Sequence, residues 1–254
     1  MIFDTHAHYD DEQFDADREE LLSDMCNRNV GTIVNVGATP EGCRASVKLA
    51  QQYDFIYAAV GVHPDDVGSL DEAFLDWMRE TARTNPKVVA IGEIGLDYHW
   101  DVEPRDVQQY WFVRQMELAG ELGLPIAVHS RDAAQDTFDL IARHGQGLSG
   151  ILHCYSYSPE MAREYVKLGY HIGIGGVVTF KNAKKAKETA AAIPLERIVL
   201  ETDCPYMAPT PYRGKRNSSD LIAYVAEEIA RLKGITAEEV IEVTEENARQ
   251  LFHI

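Results

Sequence analysis

No stretch of this 254-residue chain stays apolar for the ~20 residues a membrane-spanning helix needs, so such a helix is excluded. The N-terminus carries Asp4, His6 and His8 where an export signal would have a basic start and an apolar middle. Cysteine is scarce. Cys26, Cys43, Cys154 and Cys204 lie far apart and form no Cys-x-x-Cys pair. That argues against a disulfide framework and against a thiolate metal site. Four free thiols in a reducing compartment, the cytoplasm, are the expectation. Positive charge is short as well: 24 Lys and Arg face 41 Asp and Glu, for a formal charge of −17. Coating nucleic acid over a broad surface rests on Lys and Arg neutralising phosphates, which this balance disfavours. A local grip on a few phosphates remains open. Bound divalent cations would offset several acidic charges at a site. No repeat, low-complexity stretch or compositional break divides the chain, and 1–254 reads as one domain.

What is present is alternation. Eight short runs rich in Ile and Val begin at Ile2, Thr32, Phe55, Val88, Pro125, Gly150, His171 and Arg197. They are nearly continuous in apolar character, as expected of parallel strands covered on both faces. Amphipathic, helix-like segments lie between them, and two more close the chain. Stop signals fall where helices should end: Pro86 after one segment, and Gly123, Gly145 and Gly169 after others. Eight strands alternating with helices in a chain of this length read as an α/β (β/α)8 TIM barrel. A doubly wound open sheet is the competing architecture.

In such barrels the active site lies at the C-terminal strand ends. Strand 1 ends in "DTHAH", which puts His6 and His8 on one face, since alternate residues of a strand share a side. Strand 3 ends in His63, strand 4 in Glu93 and Asp97, strand 5 in His129, strand 6 in His153 and strand 8 in Asp203. Six of the nine histidines stand at strand termini, five at C-terminal ends and His171 at the opening of strand 7. Imidazoles and carboxylates suit borderline and hard divalent ions such as Mg2+, Mn2+ or Zn2+. His6, His8, Glu93 and Asp203 can hold one ion; Glu93, His129 and His153 can hold a second, with Glu93 bridging. Two ions sharing a carboxylate sit about 3.5–4 Å apart in hydrolytic sites. No strand end offers a Lys for carbamylation. Cys154 and Cys204 should alternate to the other face as packing residues.

The motifs "DTHAHYD", "GVHP", "GEIGLDY", "HSRDA", "HCYS", "LETDCPY" and "PYRGKRN" resemble, in order and spacing, the TatD family of metal-dependent hydrolases. The likeness covers the chain from Asp4 to the final "ENARQLF". It implies a barrel of the amidohydrolase-like superfamily and a divalent-metal phosphodiesterase, a magnesium-dependent deoxyribonuclease of the 3'-5' exonuclease type. It also implies metal ligands at His6, His8, Glu93, His129, His153 and Asp203, in agreement with the strand ends. One departure is Ser218-Ser219, where the family usually has Glu-Pro. This pair either touches substrate or caps the next helix, and Ser favours the cap.

The expected chemistry is hydrolysis by a metal-activated water, with Asp203 as general base and Glu93 as the shared carboxylate. Glu201 shares the face of Asp203 one layer deeper and reads as structural. His63, Asp97, Tyr98, Arg131, Tyr155, Arg213 and Arg216 are the candidate substrate contacts, with Lys215, Tyr206 and Tyr212 nearby. Arginine suits bidentate phosphate contact and tyrosine suits stacking. The run Lys181–Lys187 reads as the exposed face of a helix. The expected partner is DNA or a nucleotide gripped locally, with no membrane, and the expected state is a monomer. The same water could instead attack a carbonyl, giving an amidase, a lactonase or an aminoacyl-tRNA deacylase, because fold does not fix function. A non-catalytic metal-binding protein is the third reading, and the intact ligand set argues against it.

Overall fold

The computed structural model describes residues 1–100 and 102–254. Eight strands, hydrogen-bonded in sequence order, form one parallel sheet. They are β1 (Ile2–Ala7), β2 (Val30–Val36), β3 (Ile56–Val60), β4 (Val88–Asp97), β5 (Ile126–Arg131), β6 (Gly150–Leu152), β7 (His171–Ile174) and β8 (Ile198–Leu200). Just beyond β8 the chain returns to β1: Asp203 N donates to His6 O at 2.9 Å and His8 N to Cys204 O at 2.9 Å. Ala7 and Cys204 pair as a parallel bridge. The fold is a (β/α)8 barrel, and the open-sheet alternative falls because its last strand would not pair with its first.

Two compact units make up the chain: Met1–Asn35 with His153–Ile254, and Val36–Leu152. The first holds β1, most of β2, β7 and β8, with α1 (Arg18–Ser23), α6 (Pro159–Lys167), α7 (Lys184–Ala192), α8 (Ile222–Lys233) and α9 (Ala237–Phe252). The second holds β3 to β6 with α2 (Pro40–Gln52), α3 (Glu72–Thr84), α4 (Arg105–Leu122) and α5 (Ala134–His144). Every residue of β1 and of β4 is buried, so neither strand shows the polar–apolar alternation of a strand with one wet face. No helix among the described residues is long and apolar enough to cross a membrane. All four cysteines are free thiols, and Cys204 is fully buried.

Helix boundaries follow local chemistry. Thr39, Asp71, Ser158 and Thr236 each accept a backbone N–H of the first turn of α2, α3, α6 and α9. Two expectations are corrected. Gly145 ends α5 at φ −94°, outside the left-handed region, so a glycine is not required there. Ser218 occupies the cap position of a short 3-10 turn, but its hydroxyl goes to the side chain of Asp220 instead of a turn N–H. Its neighbour Ser219 is buried and turns inward.

The target of Ser219 is Asp4, a carboxylate buried in the middle of β1. Oδ1 of Asp4 accepts the backbone N–H groups of His6 (3.2 Å) and Thr202 (3.0 Å). Oδ2 accepts the hydroxyls of Thr202 (2.6 Å) and Ser219 (2.7 Å). Tyr9 lies behind, its phenol oxygen 2.8 Å from Ser219 Oγ and accepting the Ser219 N–H at 2.9 Å. Burial outweighs these bonds and lifts the Asp4 carboxyl to about 6. Replacing Asp4 by Ala strands four buried donors, and a loss of about 3 kcal/mol or more is expected in chemical denaturation of the metal-free protein. Because the folded pKa lies above the unfolded one, the stabilisation by Asp4 is full below pH 3.8 and fades as pH rises through 6. The Asp4→Ala penalty should therefore be about 1 kcal/mol larger at pH 5 than at pH 8; an equal penalty at both would refute this account.

Candidate metal centre

The first unit gathers four of the expected ligands. His6 and His8 leave the end of β1 with their Nε2 atoms 3.2 Å apart. Asp203 Oδ1 is 3.4 Å from His8 Nε2. The His153 ring stacks on His6 with centroids 3.9 Å apart. Three ligand atoms, one each from His6, His8 and Asp203, lie within 4.8 Å of one another, a spacing that one cation can bridge. Two imidazole nitrogens and a carboxylate oxygen form a donor set suited to a borderline or hard divalent ion. Asp203 adopts φ +59°, a left-handed conformation that Asp tolerates better than most residues. Its N–H bond to His6 O holds that turn, and the turn aims the carboxylate at His8. Burial works to raise the Asp203 pKa, but the hydrogen bond from His8 and the charges of His153, His8 and His6 outweigh it and hold the group below the usual carboxylate range. Glu201 is fully buried, accepts the Cys154 N–H and lies 3.8 Å from His153 Nδ1, in the structural position expected of it. Burial pushes its carboxyl up to about 7.

The second unit carries the other two expected ligands, Glu93 and His129. His129 sits between two carboxylates, its Nδ1 2.9 Å from Glu93 Oε1 and its Nε2 3.1 Å from Asp97 Oδ2. Burial lowers the His129 pKa, but these two acceptors win and raise it to about 9. With Asp97 holding Nε2–H, Nδ1 beside Glu93 is the nitrogen that a cation would take in exchange for its proton. Gly95 makes the approach possible: at φ +148°, a Cβ there would come within 1.9 Å of His129 O. His63 joins the group, its ring centroid 4.4 Å from that of His129. Its Nδ1 accepts the Asp65 N–H at 3.2 Å, so the ring proton belongs on Nε2, 3.8 Å from Glu93 Oε1.

Several expected substrate contacts have other partners. Asp97 is buried, and one of its oxygens holds His129 while the other accepts the N–H groups of His99 and Trp100, which suits it to aiming a candidate ligand. Hydrogen bonds from these neighbours overcome burial and keep it at about 2. Tyr155 is buried and donates to Ser158 O, so it packs the loop instead of stacking on a base. Tyr98 donates to Asp136 and carries the Arg105 guanidinium over its ring, which ties β4 to α4 and α5. Arg216 forms a two-pronged pair with Asp17, donates to Gln13 O and covers Phe14, so its fork is already occupied. Tyr206 donates to Asp11. Arg131 and Arg213 remain exposed, the latter over Phe180. The network of Asp4, Thr202 and Ser219 escaped the sequence reading, although an acidic residue inside an apolar strand was its signal.

A family model described as TatD related DNase matches residues 3–253. The chain belongs to the TatD family of metal-dependent hydrolases. It is 47% identical to the "uncharacterized metal-dependent hydrolase YabD" of Bacillus subtilis over 255 residues, covering all of both chains. It is 35% identical to YcfH of Escherichia coli, named in the same words, over all of this chain and 96% of that protein. The crystal structure of YJJV, a TatD homolog from E. coli, superposes with a TM-score of 0.93 at 32% identity, covering 100% of this chain and 98% of that one.

In this TatD-family chain a cation at His129 would have to compete with a proton. Below the ring's pKa of about 9, occupying Nδ1 requires a proton to leave. Affinity for Mn2+ or Zn2+ at the Glu93–His129 pair should rise about tenfold per pH unit from 7 towards 9 and then level off, as read by competition with a chelator. A flat profile over that range contradicts the pairing. Asp97→Asn should weaken the same binding by about 10–100-fold.

Proposed function

We propose that this chain is a divalent-metal-dependent phosphodiesterase that removes nucleotides from the ends of DNA, holding two ions through His6, His8, Glu93, His129, His153 and Asp203, with Glu93 shared between them. What chiefly supports the reading is the donor set: imidazoles and carboxylates leave the C-terminal ends of β1, β4, β5, β6 and β8, with no thiolate and no Lys among them. In the first unit ligand atoms of His6, His8 and Asp203 lie within 4.8 Å of one another, and in the second His129 Nδ1 lies 2.9 Å from Glu93 Oε1. Membership of a family described as DNases points the same way. Bound there, the ions would supply Lewis acidity that acidifies a water and polarises a phosphoryl oxygen.

The remaining work falls to the protein. Asp203 stays ionised at neutral pH and takes the proton of the attacking water. The Nε2–H of His63 donates to a non-bridging phosphate oxygen, a role open to it because Asp65 holds the other ring nitrogen. Arg131 and Arg213, exposed where Arg216 is not free to move, grip the next phosphates by charge-assisted hydrogen bonds. With a net charge of −17, the surface away from the site repels the rest of a polyanion, which favours action at an end.

The test is to assay single-stranded DNA, a plain phosphodiester and an aminoacyl ester, each with and without chelator. Chelator-sensitive release of nucleotides is expected. Ester cleavage without nucleotide release would move the chemistry to a carbonyl, and no turnover at full metal occupancy would end the hydrolase reading. Asp203→Asn should lower kcat by about 10²–10⁴-fold with metal content measured alongside. Full turnover in a metal-loaded variant would remove Asp203 as the base.

A further inference from the structure

Trp100 stands 62% exposed in the loop after β4, a large apolar side chain that the roles above leave unused. A lone exposed aromatic is ordinary on a protein surface. This one is anchored. Its backbone N–H donates to Asp97 Oδ1 at 3.3 Å, beside the His99 N–H at 2.8 Å. The other oxygen of the same carboxylate holds His129 Nε2 at 3.1 Å. One buried group therefore fixes both a candidate metal ligand and the turn that presents the indole.

The surroundings suit a nucleotide. Arg131 follows His129 by two positions on β5, so the two leave the strand on the same side. The Arg131 guanidinium lies 5.3 Å from the Trp100 ring centroid. The His99 ring meets the indole edge-on at 4.8 Å, and His99 is itself held by Asp132 at 3.0 Å. A largely exposed indole, with a guanidinium over its ring and an imidazole set at right angles to it, offers flat surface for a base and a charge for the phosphate attached to it. Stacking of this kind tolerates any base, because every base has a π-face.

We infer that Trp100, with Arg131 beside it, is a nucleobase-stacking subsite that receives the terminal or penultimate base of a nucleic-acid strand. This rests on the phosphodiesterase reading for its catalytic consequence, but not for its binding. Occupancy makes base-bearing strand ends better ligands than sugar-phosphate ends of equal charge.

The experiment separates the two. In chelated protein, a base-bearing dinucleotide should quench the fluorescence of Trp100, and an abasic sugar-phosphate dimer should not. Trp100→Phe identifies the signal against Trp77 and Trp111. Trp100→Ala should weaken dinucleotide binding about tenfold, the order expected on losing one stacked base, and Phe should restore most of it. In the metal-loaded enzyme the preference in KM for base-bearing over abasic ends should shrink by the same factor in the Ala variant. Arg131→Ala should weaken both ligands. Dinucleotide binding by Trp100→Ala equal to that of the unaltered protein, with circular dichroism confirming its fold, overturns the subsite. Quenching without any oligonucleotide cleavage overturns the phosphodiesterase reading and leaves the subsite standing.

Discussion

A single buried carboxylate governs the geometry at the join of β1 and β8. Leaving Asp4 in an apolar strand without partners would cost several kcal/mol. Four donors offset that cost, and they come from His6, Thr202 and Ser219. Hydrogen bonds are directional where hydrophobic contact is not. The apolar strands can therefore close a barrel, while Asp4 sets how far β1 stands along the chain that follows β8. Two of the bonded backbone groups adjoin or belong to the candidate ligands themselves, His6 and, one residue after Thr202, Asp203. A shift in that register would separate the imidazoles from the carboxylate they face.

The second unit repeats the logic with Asp97. Its two oxygens act in opposite directions, one on the His129 ring and one on the loop carrying Trp100. Both carboxylates are buried, yet burial and bonding balance differently. Asp4 is raised by its surroundings, whereas Asp97, facing an imidazole that can carry charge, is lowered. Acidic residues thus serve two purposes in a chain that has many: some fix backbone, and others hold one nitrogen of an imidazole and so aim the other where a cation would meet it.

The strands and most helix ends were legible in the sequence. Periods of apolar residues and short-range caps such as Thr39 and Asp71 are local, and local chemistry is written along the chain. The candidate ligands were legible for a related reason: a barrel strand must end at the functional face, so a polar residue closing an apolar run has few other places to be. The partners of several expected substrate contacts were not. Arg216, Tyr98 and Tyr155 have the right chemistry at the right end of the barrel, but Asp17, Asp136 and Ser158 claim them. Side chains of that length choose partners far away in sequence, and nothing nearby in the chain announces the choice. Gly145 and Ser218 show the same limit at helix ends, where the preferred residue is present but its preferred geometry is unused.

The sequence by itself determined the alternation of strand and helix, the barrel class, and the type and order of the donors in "DTHAH", "GEIG", "VHS", "LHC" and "ETD". These follow from periodicity and residue chemistry, which need no knowledge of distance. Tertiary structure alone decided which nitrogen of His129 is held by Asp97 and which lies beside Glu93, and which tautomer Asp65 imposes on His63. It also decided that Asp4 is a clamp and that Trp100 stands open beside Arg131. Each depends on contacts of a few ångströms between residues separated along the chain, a quantity that folding creates and that no stretch of sequence contains.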